Sequence, residues 1–233
     1  MLRTAQRSQS RTEVVNAFMR GVYQWMAAGL AVTAVSAFAV ASSPALLQLI
    51  FGTPMLPLVL MIGLVGLVFY MSARIGTMSA GTATTLFMVY SALNGVVLSS
   101  VLIVYATASV FQAFVTAAAM FGAMTVYGMT TKRDLTSMGS FMFMGLIGIL
   151  IASVVNIFLG SSMMELVISA IGVIVFTGLT AYDSQQLRQM GETAPMDDPV
   201  AIRRGTILGA LRLYLDFINL FLMLLRLFGG ARD

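Results

Sequence analysis

The sequence predicts an all-α integral membrane protein built as a bundle of seven transmembrane helices. Hydrophobic residues make up 59% of the 233 residues and charged residues only 9%, a balance that one soluble core of this size could not bury. Apolar runs long enough to cross about 30 Å of hydrocarbon as helices recur seven times. We place these spans at residues 22–41, 55–72, 83–106, 109–130, 141–160, 163–183 and 205–228.

The connections between the spans are short, and no polar low-complexity segment separates them. We therefore expect one transmembrane domain over residues 21–229, preceded by a basic cytoplasmic tail at 1–20 and followed by a short tail at 230–233. Small residues four positions apart are typical of close helix contacts. Three spans have this spacing, at Ser91/Gly95/Ser99, Ala118/Gly122 and Gly148/Ala152.

Positive charge predicts the orientation of the chain. The connections at 42–54, 107–108 and 161–162 contain no Lys or Arg. The tail and the other connections carry the cationic residues Arg3, Arg7, Arg11, Arg20, Arg74, Lys132, Arg133, Arg188, Arg203 and Arg204. The positive-inside rule then places the N-terminus in the cytoplasm and the C-terminus on the opposite side. Because the net charge of +4 follows from this topology, we expect membrane lipid, and no nucleic acid, as a partner.

The residue inventory restricts the possible chemistry. The chain has no cysteine and no histidine, which excludes thiol chemistry, disulfides, His-bearing triads and imidazole metal ligands. Carboxylates are therefore the groups left to titrate near neutral pH. We expect no catalytic residue, no resident cofactor and no enzyme activity.

Two carboxylates lie where lipid is expected. Asp183 is at the end of the sixth span, and Asp216 is in the seventh, within LYLDFINLFLMLLR at 213–226. An ionisable group inside a span is costly, faces the bundle interior or water, and indicates function. If Arg188 marks the cytoplasmic interface, Asp183 lies about 7.5 Å inside it.

The depth of Asp216 depends on which arginine reaches the interface. If Arg204 marks the interface, Asp216 lies about 18 Å deep and the two aspartates do not meet. If Arg212 snorkels to the interface instead, Asp216 lies about 6 Å deep and the depths match. On the second interpretation, Asp183 and Asp216 form a pair.

The seventh span also carries a polar stripe with helical spacing, made of Arg212, Asp216, Asn219, Met223 and Arg226. A face with these residues belongs in the bundle centre, where Asn219 would be a polar pore or packing residue. Alternatively, Arg212 and Asp216 neutralise each other as an i, i+4 pair and Asn219 bonds to a neighbouring helix. We expect Asn94 and Asn156 to form interhelical hydrogen bonds.

Two carboxylates at one depth would have coupled titrations. Close approach and partial burial disfavour ionising both, so the pair would share a proton near neutral pH. The proton would clasp the sixth and seventh spans at low pH, and repulsion or a bound cation would separate them at higher pH. Oxygen ligands suit a hard cation such as calcium, and two carboxylates alone suit a passing ion better than a stored one.

Two segments carry a resemblance to a known family. They are AYDSQQL at 181–187 and LYLDFINLFLMLLRLFG at 213–229, and the similarity extends to MFGAM…YG…TTKRDL at 120–135 and IGVIVF at 171–176. These segments resemble the Bax inhibitor-1 family, also called the transmembrane BAX inhibitor motif family, in its bacterial inner-membrane branch. The resemblance covers nearly the whole chain beyond the tail.

The resemblance implies a seven-helix bundle whose last helix is wrapped by the other six, and a pH-sensitive calcium leak. It implies that Asp183 and Asp216 are the proton-sensing pair at the cytoplasmic end of the pore. Calcium-leak relatives latch the first aspartate with an arginine of the second helix, but FYMSARIG has Arg74 two residues later. Arg212 stands where relatives commonly carry a small or uncharged residue, so we expect Arg74 and Arg212 to modify the gate.

A binding function is the main alternative. Other bacterial relatives are linked to regulation of a membrane-bound ATP-dependent protease, and animal relatives to suppression of cell death. A small bundle could act by binding such a membrane partner. Residues 1–20 and 184–204 are the surfaces that it would offer.

An intramembrane aspartyl protease is the remote alternative. Tyr182-Asp183 in one span and Asp216 in the next resemble the motifs of such enzymes. The glycines of the second motif are missing. The Pro-Ala-Leu element, which these proteases place after both aspartates, occurs at 44–46, in the loop after the first span.

Overall fold

The computed structural model describes residues 2–53, 55–194 and 198–229, with side chains from residue 11 onward. Within these residues the chain is all α, without strands, which confirms the predicted fold class. The helices are α1 (Leu2–Ala41), α2 (Pro44–Phe51), α3 (Leu56–Arg74), α4 (Ala80–Val104), α5 (Thr107–Thr130), α6 (Thr136–Leu159), α7 (Ser162–Thr193) and α8 (Pro199–Phe228).

Seven of these helices, all except α2, are long and apolar enough to cross a membrane. They correspond in order to the seven predicted spans. Even α3, with 19 residues, is about 28 Å long at 1.5 Å per residue, close to the hydrocarbon thickness.

Several helices extend beyond the apolar runs. Helix α1 begins within the predicted tail, and α7 and α8 together take up most of the predicted connection at 184–204. These extensions are polar, so an apolar window misses them, although Arg, Gln and Ala favour helix. Helix α2 lies inside the predicted loop 42–54, where Ser43 accepts a hydrogen bond from the Leu46 N–H and Pro44 occupies the first turn.

The chain divides into two compact units. Unit 1 contains α1 to α4 with the segment Gln189–Tyr214, and unit 2 contains α5, α6, α7 up to Arg188, and α8 from Leu215. Helix α8 therefore supplies one segment to each unit. It is also the most buried span, with 72% of its apolar window buried against 6% to 44% for the other spans.

Small residues bring α1 and α4 together in unit 1. A Cβ atom added at Gly95 would lie 2.3 Å from the Thr33 carbonyl oxygen, and one at Gly29 would lie 2.6 Å from the Phe87 ring. Ser91 and Ser99 are fully buried, so the predicted stripe on α4 is a true helix contact. The other two stripes are wrong at their glycines, Gly122 and Gly148, because within the described residues no atom beyond the local helix lies within 4 Å of an added Cβ.

Candidate functional site

The AYDSQQL segment of α7 is bound to α5 and to the loop between α5 and α6. Gln185 makes two hydrogen bonds to the loop backbone: its Oε1 accepts from the Leu135 N–H at 2.9 Å, and its Nε2 donates to the Arg133 carbonyl at 2.8 Å. Arg188 donates from Nη1 to the carbonyl of Met129, in the last turn of α5. Three backbone groups of unit 2 are thus held by two α7 side chains.

Close packing adds to these bonds. Ser184 Oγ donates to Thr125 Oγ1 at 3.4 Å. A Cβ atom added at Gly128 would lie 2.1 Å from the Ala181 carbonyl oxygen, so the α5 and α7 backbones touch there. The α7 residues of these contacts recur with i, i+3, i+4, i+7 spacing, which places them on one helical face.

Asp183 lies on a different face of α7. At 100° per residue it is about 200° around the helix from Ala181, and its side chain is half-buried. On the face between them, Tyr182 packs on α6, where a Cβ atom added at Gly139 would lie 2.4 Å from the tyrosine ring. The neighbours of Asp183 therefore fix the rotation of α7 at this point.

The loop from residue 131 to 135 ends in a hydrogen-bonded turn. Asp134 Oδ1 accepts from the Thr136 N–H at 2.9 Å and from the Thr136 hydroxyl at 2.6 Å. These bonds hold the pKa of Asp134 below its ordinary value. They also satisfy one of the first free N–H groups of α6.

We expect Asp134→Ala to destabilise the protein slightly at neutral pH and not in strong acid. A carboxyl with a lowered pKa stabilises the fold above its unfolded pKa of about 3.9 and loses that effect as the pH falls through the folded pKa. Thermal unfolding of both proteins in detergent across this range is the measurement. A difference that persists undiminished in strong acid would contradict the assignment.

Asp216 lies within the second unit's segment of α8, with only 6% of its surface exposed. The next residue, Phe217, packs edge-on against Phe114 and Phe121 of α5, with both ring centroids at 5.6 Å. The Asn219 amide donates to the Leu215 carbonyl at 2.8 Å, a bond within α8 itself. Asp216 is thus a buried carboxylate in a span fixed by aromatic packing.

Helices α7 and α8 run antiparallel in unit 2. The thioether of Met223 packs on Gly172, where an added Cβ would lie 2.6 Å from the sulfur. Nearer the end of α8, Arg226 Nε lies 3.9 Å from Glu165 Oε1, in the first turn of α7. Both of these side chains are more than one-third exposed, so the ion pair contributes little stability.

The predicted stripe on α8 is buried only in its middle. Asp216 and Met223 are buried, whereas Arg212 and Arg226 are exposed. The prediction that the whole face belongs in the bundle centre is therefore wrong. The stripe is about 21 Å long at 1.5 Å per residue, so its two arginines fall near opposite ends of a span.

Unit 1 contains a polar cluster that the sequence did not reveal. Tyr214 is fully buried, and its hydroxyl lies 2.6 Å from Thr33 Oγ1 and accepts from Asn94 Nδ2 at 2.8 Å. The single hydroxyl proton of Thr33 is shared between the backbone carbonyls of Ser91 and Gly29, each 2.9 Å from Oγ1. The cluster links α1, α4 and α8 through side chains that are costly to leave unpaired in an apolar interior.

The two predicted interhelical asparagines differ. Asn94 forms the expected hydrogen bond between helices, to Tyr214. It is the one residue of the polar cluster that the sequence analysis singled out. The prediction for Asn156 is wrong, because its Oδ1 accepts from the Ser161 N–H at 3.1 Å. This bond caps the end of α6, where Gly160 takes a left-handed conformation with φ of 61°.

The arginines of unit 1 bind backbone and aromatic groups. Arg204 donates to the Gly76 carbonyl at 2.9 Å, which ties α8 to the α3–α4 connection. Arg203 lies over the Trp25 ring at 5.8 Å, within the range of a cation–π contact. Arg74, which we predicted to modify the gate, is exposed in the last turn of α3.

Metal ligands are sparse in the described chain. Among residues 2–53, 55–194 and 198–229, no three His, Cys, Asp or Glu side chains lie close enough to hold a metal ion together. Calcium binding by Asp183 and Asp216 therefore stays a prediction about a site with two carboxylates.

These features define an all-α, multi-pass membrane protein with a carboxylate buried in its last span. Residues 15–233 match the family model described as "Inhibitor of apoptosis-promoting Bax1". The chain therefore belongs to the Bax inhibitor-1 family, as the resemblance of its motifs indicated.

Bacterial relatives match over nearly the full chain. "Inner membrane protein YbhL" of Escherichia coli strain K12 is 52% identical over 215 residues, 92% of each chain. A protein of Borreliella burgdorferi is 42% identical over 228 residues, 97% of this chain and 98% of the relative. A protein of Deinococcus radiodurans is 42% identical over 233 residues, the whole of this chain and 98% of the relative.

Proposed function

We propose that this protein is a pH-sensitive cation leak of the bacterial inner membrane, with calcium as its preferred ion. The gate is the pair Asp183 and Asp216, and the protein is not an enzyme. The name of the Escherichia coli relative supports the inner membrane. The distribution of arginine and lysine supports a cytoplasmic N-terminus and a C-terminus on the opposite side.

The burial of Asp216 carries this proposal. A carboxylate with 6% of its surface exposed lies inside a transmembrane helix. Such a group is expensive to keep ionised in a membrane and usually belongs to an ion or proton pathway. A merely structural residue at this position could be apolar at less cost.

The register of α7 and α8 supports a pair. Asp183 lies eleven residues beyond Gly172, whereas Asp216 lies seven residues before Met223, which packs on that glycine. In antiparallel helices this leaves an axial offset of four residues, about 6 Å. Each Cα–Cβ bond tilts toward the N-terminus of its own helix, so the two side chains lean toward each other and shorten the offset.

Contacts with α5 independently support a similar depth for Asp183 and Asp216. This helix contacts Phe217, next to Asp216, through Phe121. It contacts Ser184, next to Asp183, through Thr125. These two α5 residues are one turn apart, about 6 Å along the axis. Each aspartate is therefore next in sequence to a residue that contacts α5, and the two contacts lie one turn apart on that helix.

A shared proton is the gating chemistry that this arrangement favours. At low pH a proton held between the carboxylates joins α7 to α8, and at higher pH two negative charges repel each other or attract a cation. Oxygen donors without nitrogen or sulfur select a hard cation. A two-carboxylate site releases its ion readily, as a conducting site requires.

Calcium flux into liposomes that contain the purified protein tests the proposal. From mildly acidic to mildly alkaline pH, the wild type should conduct increasingly. Asp183→Asn and Asp216→Asn should lose the pH dependence because neither retains a pair that can share a proton. Glu13→Gln, which removes an exposed carboxylate near the start of α1, is the matched control and should behave as the wild type. Folded wild-type protein without flux at any pH would refute the leak.

Arg212→Ser should move the midpoint of the pH response upward. The guanidinium favours the ionised form of nearby Asp216, so its removal should delay opening to higher pH. Because Arg212 is exposed, solvent screens it, and we expect a shift below about one pH unit. Arg203→Ser, nine residues earlier on α8, is the control. An unchanged midpoint would leave Arg212 without influence on the gate.

One observation favours the second candidate function, regulation of a membrane-bound ATP-dependent protease or another membrane partner. Parts of the two segments predicted to offer a binding surface, the start of α1 and the region around residues 191–194, meet in unit 1. Arg11 donates to the Ala194 carbonyl at 3.0 Å, and buried Phe18 lies 3.1 Å from a Cβ added at Gly191 and 3.3 Å from one added at Gly205. These contacts support a binding surface to which both segments contribute.

Deletion of residues 2–9 separates the two candidates, since it spares Arg11 and Phe18. Loss of a cellular phenotype with intact calcium flux would favour the binding function. Loss of the pH dependence of the flux in the aspartate variants, with flux intact in the deletion variant, favours the leak.

A further inference from the structure

Gln185 does more than fill space in a packed helix, because its side chain binds the backbone of the 131–135 loop. It is 7% exposed, and its amide group bonds as a backbone peptide would, accepting from the Leu135 N–H and donating to the Arg133 carbonyl. The contact spans fifty residues of sequence. A buried amide that loses both partners is left with unpaired donors and acceptors, so these bonds strongly favour one position of the loop.

The positions of Gln185 and Asp183 around α7 determine how Gln185 affects Asp183. Gln185 is two residues after Asp183, about 200° around α7, so the two side chains leave the helix in nearly opposite directions. The contacts of the Gln185 face with α5 and the loop therefore place Asp183 on the opposite side of α7. Fixing one face of a helix fixes the other.

We infer that Gln185 is the positioning residue of the aspartate pair: by docking the 131–135 loop on α7 it fixes the direction of the Asp183 side chain. The consequence for ion flux rests on the proposed function, whereas the orientation of Asp183 does not.

The neighbouring glutamine provides a matched control. Gln186 is half-buried, and no hydrogen bond of its side chain occurs within the residues that the structure describes. Gln185→Leu removes both loop bonds at similar size, Gln185→Glu keeps the acceptor for the Leu135 N–H and loses the donor, and Gln186→Leu removes an amide that holds no loop.

Site-specific labelling tests the inference without any assay of function. Because the chain has no cysteine, Asp183→Cys is a clean reporter for a water-soluble maleimide, and Ser169→Cys, fully buried on the same helix, reports general loosening. We expect Gln185→Leu to raise labelling at residue 183 about tenfold, the factor typical of a lost buried hydrogen bond. Gln185→Glu should give a smaller rise and Gln186→Leu none.

Trypsin reports the loop in the same proteins, since Lys132 and Arg133 provide adjacent cleavage sites within it. Faster cleavage there in Gln185→Leu, with labelling raised at residue 183 and unchanged at 169, supports the inference. Unchanged labelling at 183, or an equal rise at 169, overturns it. Calcium flux is measured separately: a wild type without flux refutes the leak and leaves the labelling result standing.

Discussion

Gly128→Val should be among the most damaging single changes in unit 2. The nearest atom to a Cβ at this position is the Ala181 carbonyl oxygen, at 2.1 Å, and the Ala181 carbonyl carbon follows at 2.9 Å. Backbone cannot move aside as a flexible side chain can, so α5 and α7 must separate. Overpacking of this kind costs about 3 kcal/mol, and separation would also strain the Gln185 and Arg188 bonds.

The same helix offers a control for this change. In the part of the chain that the structure describes, a Cβ added at Gly122 would meet no atom beyond its own stretch of helix within 4 Å, so Gly122→Val adds the same β-branched side chain to α5 without a collision. Thermal unfolding in detergent and the yield of folded protein compare the two variants. Equal losses would mean that valine is harmful through helix propensity alone, and that the α5–α7 contact at Gly128 is looser than described.

Tyr214→Phe should have the largest effect of any conservative change in unit 1. It removes the hydroxyl that Thr33 and Asn94 share and leaves the ring in place. Loss of these buried bonds should lower the free energy of unfolding by about 1 to 2 kcal/mol. The expected loss is modest because hydrogen bonds between membrane helices contribute less stability than the cost of burying an unpaired polar group suggests. The measurement is the denaturation midpoint in mixed micelles.

Tyr90→Phe is the matched control for this phenol. The Tyr90 ring packs edge-on against Tyr214, with centroids 5.8 Å apart, and Tyr90 is buried as well. Its hydroxyl makes no hydrogen bond within the described part of the chain. If Tyr90→Phe were as destabilising as Tyr214→Phe, the bonds of the Tyr214 cluster would have no special weight.

The sequence predicted the spans well because their signal is local. About twenty apolar residues in a row suffice to fill a bilayer, and each of the seven long helices contains such a run. The polar ends of α1, α7 and α8 were missed because no lipid constrains their composition. Only one of three small-residue stripes marked a contact, since such spacings arise often by chance in a chain with 21 glycines.

The contacts around Asp183 could not be predicted from the sequence. Gln185 and Arg188 bind backbone groups. Because nearly every residue has the same backbone groups, the amino-acid sequence does not show which of them is the partner. The polar cluster of unit 1 was visible only through Asn94, because Thr33 and Tyr214 are unremarkable residues in an apolar helix. Burial of Asp216, by contrast, was expected from its charge in an apolar run.

The backbone-directed bonds of Gln185 have an evolutionary consequence. A loop held by its own peptide groups does not depend on most of its side chains, and Lys132 and Arg133 are exposed. Substitutions at these two positions should be nearly neutral for folding, so their charge can drift or be selected for membrane orientation alone. Leu135, which is buried, should tolerate little change. The α5–α6 connection can therefore vary in sequence at its exposed positions while it keeps the same backbone conformation.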